Sequence, residues 1–176
     1  MRKLSEIIVE DGIKDKNSYN WVRKASRGIV LKDDKVLMIY SPVFDDYTFP
    51  GGGVKKDESY QRALYRELRE EVGAKNIKIV RAFGQTLEVR KSFHYKGEQY
   101  RQISKYFICR VEEFGEQQLD KREEDHGAIP LWIEPAKALA HNQSVQQDEM
   151  HQRRGAKTTI IRENIVLKMI IKEGIK

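Results

Sequence analysis

Residues 52–74 read Gly52-Gly53-Val54-Lys55-Lys56-Asp57-Glu58-Ser59-Tyr60-Gln61-Arg62-Ala63-Leu64-Tyr65-Arg66-Glu67-Leu68-Arg69-Glu70-Glu71-Val72-Gly73-Ala74. From Ser59 to Val72 there is no Gly or Pro, and Arg, Glu, Leu and Ala are good helix formers. Asp57, Glu58 and Ser59 suit a helix N-terminus, as caps or as carboxylates facing the dipole. Gly73 suits the left-handed residue that ends a helix. At about 100° per residue, Glu67, Glu70 and Glu71 share one face. Leu64, Leu68 and Val72, with Tyr65, form a second stripe, and Arg62, Arg66 and Arg69 a third. The spacing predicts a helix with an apolar buried face, an acidic face and a solvated basic face.

Three carboxylates on one face repel one another unless a cation sits among them. Hard divalent cations such as Mg²⁺ or Mn²⁺ favour such oxygen ligands. The glutamates alone are better read as a solvated face laced with Arg–Glu pairs. Gly52 and Glu58 at fixed distances before them, and the Gly73 stop after them, turn the reading toward a metal site. The preceding Phe49-Pro50-Gly51-Gly52-Gly53 would alone read as a tight turn. Beside the helix, its glycines instead let the backbone approach a ligand closely.

The stretch resembles the Nudix box, Gly-x5-Glu-x7-Arg-Glu-U-x-Glu-Glu-x-Gly-U with U aliphatic, at every fixed position, Ala74 being a small final U. Ordinary residue frequencies put a chance match at roughly 10⁻⁷. The resemblance implies an α/β/α sandwich around a mixed sheet. It implies that Glu67, Glu70 and Glu71 ligate metal and that the Gly52 carbonyl completes the shell. Arg66 would hold a glutamate in place, four residues before Glu70. Glu58 would have a structural role, such as pairing with Arg66. The implied reaction is water attack on the pyrophosphate linkage of a nucleoside diphosphate joined to another moiety X.

The rest of the chain is consistent with such a domain. At 176 residues one domain with a real core is expected, its core near 20–140 and a helical extension over 141–176. No apolar run approaches 18 residues, so no transmembrane helix is expected. The N-terminus lacks a signal-peptide apolar region, and Cys109 alone makes no intramolecular disulfide, so a cytoplasmic location is expected. The net charge of +6 suits anionic partners such as nucleotides or RNA.

Ile7-Ile8-Val9 reads as a short strand or an arm. Arg27–Leu31 and Val36–Tyr40 flank a hairpin turn. Ile77–Val89, with Gly84 as a bulge or break, turns through Lys96-Gly97 into Tyr100–Val111; Phe93 and Tyr95 continue the alternation. Glu112–Gly127 is charged and loop-like. Ile129–Ile133 is a short apolar stretch, and a helix from Pro135 to Ala140 follows it. Residues 141–157 read as a polar connection or lid. A last helix runs from Ile160 to Lys172, capped by Thr158 or Thr159. Its apolar residues cover most faces, which fits packing on the core or against a second copy in a homodimer. Strands around one central helix, with more helices after them, give α+β or mixed α/β layers.

Candidate site residues outside the box are fewer. The general base is a box glutamate or a loop acid among Glu123, Glu124 and Asp125, with His126 behind them. Phe44, Tyr47 and Phe49 precede the glycines and are candidates for stacking on a nucleobase, although core packing or a solvent-exposed loop is the better reading. Arg27 and Arg101 are candidates for phosphate contacts, or surface charges. No proline lies between Pro50 and Pro130, and position 91 is lysine; both depart from marks that the family's ADP-ribose and dinucleoside polyphosphate hydrolases often carry. NADH and coenzyme A signatures are not evident. A nucleoside triphosphate, including an oxidised one, is left by elimination. The alternatives are an RNA 5′-end pyrophosphohydrolase, with the basic Arg153-Arg154-Gly155-Ala156-Lys157 on the RNA backbone, and a nucleotide-sensing module without catalysis.

Overall fold

The sheet grows from two hairpins. The computed structural model describes residues 1–92, 94–119, 121–125, 127–148 and 157–175, and of residues 122 and 123 the backbone only. After the short strand β1 (Ile8–Val9), β2 (Trp21–Lys32) turns into β3 (Lys35–Ser41) through Asp33 and Asp34. Both aspartates have positive φ, 50° and 61°, the mirror-image turn whose twist matches a hairpin. Then come β4 (Asp46–Thr48), β5 (Gly51–Gly53) and helix α1 (Tyr60–Val72). The second hairpin is long: β6 (Ala74–Lys91) and β7 (Gln99–Phe114) pair antiparallel, with register shifts at Ile79/Arg81 and Ala82/Gly84. A single turn α2 (Lys121–Asp125), strand β8 (Ile129–Ile133) and helices α3 (Pro135–Gln147) and α4 (Lys157–Glu173) complete the order.

The strands run β1-β6-β7-β2-β3-β4, with β5 also on β2 and β8 on β3. β1/β6 and β2/β7 are parallel and the other pairs antiparallel, so the sheet is mixed. Alternation along each strand builds a core on each face. Val30, Leu37, Ile39, Phe107 and Cys109 meet Leu64, Leu68 and Val72 of α1. Their neighbours Ile29, Val36, Met38 and Tyr106 meet Val166, Leu167 and Ile170 of α4. Each fully buried aliphatic side chain contributes about 1.5–3 kcal/mol relative to exposure. Gly28 brings α1 onto the sheet: a Cβ there would lie 3.0 Å from Leu68 Cδ2. The expected α/β/α layering is what the molecule has.

Several boundaries differ from expectation. β2 begins six residues before Arg27, because the polar Trp21–Ser26 stretch is held by pairing with β7. The strand β7 carries on into the stretch expected to be loop, as far as Phe114. Helix α3 extends through Gln147, so the polar connection expected from His141 is helical in its first half. Asn142 is buried there and exchanges hydrogen bonds of 2.9 Å with the backbone N–H and carbonyl of Tyr47. Thr158 and Thr159 lie inside α4, not at its cap. The buried Ile160, Val166, Leu167 and Ile170 put α4 on the core. Residues 149–156, including Arg153 to Ala156 of the basic stretch, fall outside the described residues, as do Phe93, His126 and the Glu123 side chain.

Candidate active site

Helix α1 is placed by its two ends. The Ser59 hydroxyl accepts the Arg62 N–H at the N-terminus. Gly73 ends the helix at φ 63°, and its N–H reaches the Arg69 and Leu68 carbonyls. A side chain at Gly73 would strike the Gly115 carbonyl at 2.2 Å, so the end of β7 packs against this turn. From there Gln117 Nε2 donates to the Glu71 carbonyl (2.7 Å) and Gln118 N–H to the Glu70 carbonyl (2.8 Å). The open carbonyls of the last turn are thereby satisfied by the segment that follows β7.

Arg62 and Arg69 of the basic face are exposed as expected, but Arg66 turns into the acidic face. Its Nε and Nη2 hold the two Glu58 carboxylate oxygens at 3.0 Å each. Its Nη1 donates to Glu67 Oε1 (2.6 Å) and Glu70 Oε2 (3.1 Å), and Nη2 also donates to the Gly53 carbonyl (3.0 Å). One guanidinium thus joins the helix, the loop before it and strand β5. The Glu58 hydrogen bond first, and Glu67 next, raise the proton affinity of Arg66 against the opposing effect of burial. The same bond to Arg66, helped by the Lys55 N–H, holds the Glu58 carboxyl below the usual range. The pairing role expected for Glu58 is the one it has.

Glu71 turns the other way, and its Oε2 accepts the Gly51 N–H at 2.6 Å. Gly51 has φ 133°, and a Cβ there would lie 2.2 Å from the Ser26 carbonyl, so only glycine fits. Gly52 lies against Glu67: a Cβ would come within 2.6 Å of that carboxylate. Among the described residues, no three His, Cys, Asp or Glu side chains form a ready-made metal cage. Glu67 and Glu70 instead converge on Arg66, while Glu71 points to the glycine loop. The donor set still fits a hard divalent cation. Three carboxylates lie within two turns of one helix, and the missing side chain of Gly52 lets the loop backbone lie against the Glu67 carboxylate. An open cleft of about 390 Å³ adjoins Glu70, lined also by Arg62, Tyr65, Arg66, Arg69 and Gln118.

Gly52→Ala tests that fit. The added methyl displaces the Glu67 carboxylate, which is expected to weaken Mg²⁺ activation about tenfold. Gly52 has no positive φ, so the denaturation midpoint should move little by comparison. A Mg²⁺ titration of activity beside a urea melt separates the two effects.

The candidates outside the box are scattered. Phe49 is fully buried and meets the Tyr106 ring edge-on, 5.8 Å between centroids, so it has no face to offer a base. Tyr47 sits between Tyr40 and His141, each 5.1 Å away, where β4 meets α3. Arg101 lies on the Tyr19 ring at 4.1 Å and donates to the Lys16 carbonyl, tying down the N-terminal arm. Arg27 donates to the Phe49 carbonyl (2.7 Å), gripping the chain as it enters the glycines. Glu124 is exposed on α2, and its carbonyl accepts the Gly127 N–H.

Two groups that matter were not anticipated. Glu163 of α4 is buried, and its Oε2 accepts the Phe49 N–H at 3.2 Å, opposite the grip of Arg27. Its neighbour Arg162 bridges it to Glu88 of β6. An Arg-Glu pair between Ile160-Ile161 and Ile165-Val166 was the available signal. Arg23 was also missed. It shares a sheet face with Arg27 by alternation, and its Nη2 lies 3.8 Å from where a Gly53 methyl would be.

The profile of the NUDIX domain matches residues 22–153. An RNA pyrophosphohydrolase of Nitratiruptor sp. is 34% identical over 113 residues, 60% of this chain and 65% of that protein. One from Campylobacter jejuni is 38% identical over 72 residues, 37% of this chain and 44% of that protein. The match thus spans less than two-thirds of either relative. A NUDIX hydrolase structure from Nitrosomonas europaea superposes with a TM-score of 0.53 at 19% identity, covering 80% of this chain and 86% of that one, a likeness of fold. With a family match over three-quarters of its length and an intact box centred on Arg66, the chain belongs to the NUDIX family.

Proposed function

We propose that this protein is a Mg²⁺-dependent hydrolase of the pyrophosphate linkage in a nucleotide, a nucleoside triphosphate or a related compound, with Mn²⁺ as a substitute ion. The observation that carries the reading is the Arg66 centre, which binds Glu58, Glu67, Glu70 and the Gly53 carbonyl beside a cleft with further arginines. Glu67, Glu70, Glu71 and the Gly52 carbonyl would hold the metal, which when bound polarises the phosphoryl oxygens and acidifies water. The chain's own part is positioning. Arg66 keeps Glu67 and Glu70 together, Glu71 fixes the Gly51 N–H, and Arg27 with Glu163 sets the backbone of Phe49 that leads into the loop. Arg62 and Arg69 lie along the cleft, where a diphosphate would be neutralised. Water attack on phosphorus breaks the P–O–P bridge, and one fragment leaves as a phosphate ester or pyrophosphate. Of the acids considered for the base, Glu70 has a side chain 36% exposed and borders the cleft.

A second reading, removal of pyrophosphate from RNA 5′ ends, is supported by the names of the relatives. Lys157 of the basic stretch is already paired with Asp11 (2.9 Å), which lessens its part in that reading. The preserved Glu67, Glu70 and Glu71 weigh against a sensing module. A panel of nucleoside triphosphates, oxidised triphosphates, ADP-ribose, dinucleoside polyphosphates and 5′-triphosphorylated RNA separates these readings. Turnover of triphosphates is expected. Preference for RNA with a steep fall in affinity as salt rises would favour the second reading. Tight binding with no turnover of any compound would leave the sensing module.

A further inference from the structure

One face of the sheet changes character along its length. Beneath α4 it is apolar at Ile29 and polar at Tyr106 and Ser104, and then it leaves the cover of the helix. By the register of β2 on β7, Trp21, Arg23, Ala25 and Arg27 share this face with Tyr100, Gln102, Ser104 and Tyr106. At its far end Trp21 stacks on Tyr100, 5.6 Å between centroids and 10° between planes. Tyr95 meets Trp21 edge-on at 5.8 Å and is 60% exposed. Next to the aromatics stand Arg23 and Arg90. Arg23 is bound by Gln102 Oε1 at 3.3 Å. Arg90 is 7% exposed, and among the described residues its Nε has no hydrogen-bond partner. Among the described residues neither guanidinium forms an ion pair. Desolvation first, with Arg27 and Arg90 adding to it, holds the proton affinity of Arg23 below the ordinary value, although the Tyr100 hydroxyl opposes this.

Two guanidiniums that have no carboxylate partner among the described residues, set beside aromatic rings, complement a molecule with an anion at one end and a π-face at the other. The geometry also joins this patch to the catalytic loop. Arg23 Nη2 approaches Gly53, which pairs with Ala25 and gives its carbonyl to Arg66. From Trp21 to Ala25 is about 13 Å at the rise of a strand. We infer that Trp21 and the exposed Tyr95 form the platform on which the nucleobase of the substrate stacks, with the buried Tyr100 backing Trp21, and that the exposed Arg23 draws its phosphates toward the glycine loop while the buried Arg90 adds positive charge from beneath. This deepens the proposed function and rests on it. The ligand is a 5′-nucleotide unit, free or at the end of an RNA. Stacking on ring faces tolerates any base, and Gln102 Nε2 is already committed to Glu88 and Ser104.

The test uses the full chain with Trp132→Phe, so that Trp21 is the one fluorescent indole. A nucleoside triphosphate is expected to quench it, and inorganic tripolyphosphate is not. Tyr95→Ala, at an exposed position, should raise KM about tenfold with kcat changed less than about twofold. Arg23→Gln should weaken both the nucleotide and tripolyphosphate, whereas Tyr95→Ala should weaken the nucleotide alone. A KM shift in both free nucleotide and 5′-triphosphorylated RNA places the nucleotide itself on the platform, and a shift in RNA alone places the RNA end there. Normal hydrolysis with unchanged KM in both variants and no quenching overturns the platform but leaves the reaction standing. No hydrolysis of either compound by the unaltered protein overturns the proposed function, and the platform with it.

Discussion

Arg162→Met is expected to lower the free energy of unfolding by about 3–5 kcal/mol. Arg162 is 1% exposed, the largest fully buried side chain of the described residues, and lies between two carboxylates. Its Nη1 donates to Glu88 Oε1 at 2.8 Å, and its Nε and Nη2 both donate to Glu163 Oε1. Burial alone would lower its proton affinity, but Glu88 and Glu163 outweigh that and raise it well above the ordinary value. Removing the guanidinium leaves the Glu88 carboxylate buried with only the Gln102 amide, and leaves the Glu163 carboxylate only the more distant Arg27 guanidinium, 3.9 Å away. The effect reads as a lower denaturant midpoint at unchanged slope. Adding Glu88→Gln and Glu163→Gln should recover much of the loss, since uncompensated charge is its cause. A loss under about 1 kcal/mol would show that the cluster relaxes toward water and is not the rigid backing of the glycine loop.

Arg66→Ala is expected to reduce metal affinity or activity about 10- to 100-fold, the range for groups that orient metal ligands. Four groups lose their common donor at once: Glu58, Glu67, Glu70 and the Gly53 carbonyl. Glu67 is nearly buried, so without Arg66 its charge is disfavoured and its orientation lost. Arg66→Lys should recover only part, because an ammonium cannot span both Glu58 oxygens and the helix carboxylates. Metal titrations of kcat/KM check this, and an unchanged Mg²⁺ requirement in Arg66→Ala would remove Arg66 from its central role.

How far the chain can be read before folding depends on the range of the interactions. Helix α1 was legible because its signals are local: Ser59 at one end, Gly73 at the other, and three stripes set by helical periodicity. The layered fold followed from strand alternation and from the box. The inward turn of Arg66 was not legible, since Glu58 and the Gly53 carbonyl come to it only when the loop closes over the helix. Nor was the split of the glutamates, because Glu71 finds its partner in Gly51, twenty residues earlier. Arg101 read as a surface candidate until the N-terminal arm covered it, and Phe49 stood open between loop and core until Tyr106 of β7 packed on it. Glu163 lies 114 residues from the Phe49 N–H that it holds, a pairing that only the tertiary fold creates. The basic and aromatic face around Trp21 was hidden for a related reason. Residues 21–26 alternate too weakly in polarity to announce a strand, and pairing with β7 makes them one.

In the proposed function, the carboxylates of α1 direct water onto a phosphorus of a nucleotide pyrophosphate linkage. The most direct measurement is hydrolysis of a nucleoside triphosphate with Mg²⁺ in ¹⁸O-labelled water, followed by mass spectrometry of the products, for the unaltered protein and for Glu70→Gln. One ¹⁸O in a single phosphate product is expected, made only with the divalent ion, with a loss of turnover of at least about 100-fold in Glu70→Gln. Turnover that survives Glu70→Gln unchanged, or that proceeds without a divalent ion, would contradict the proposed function.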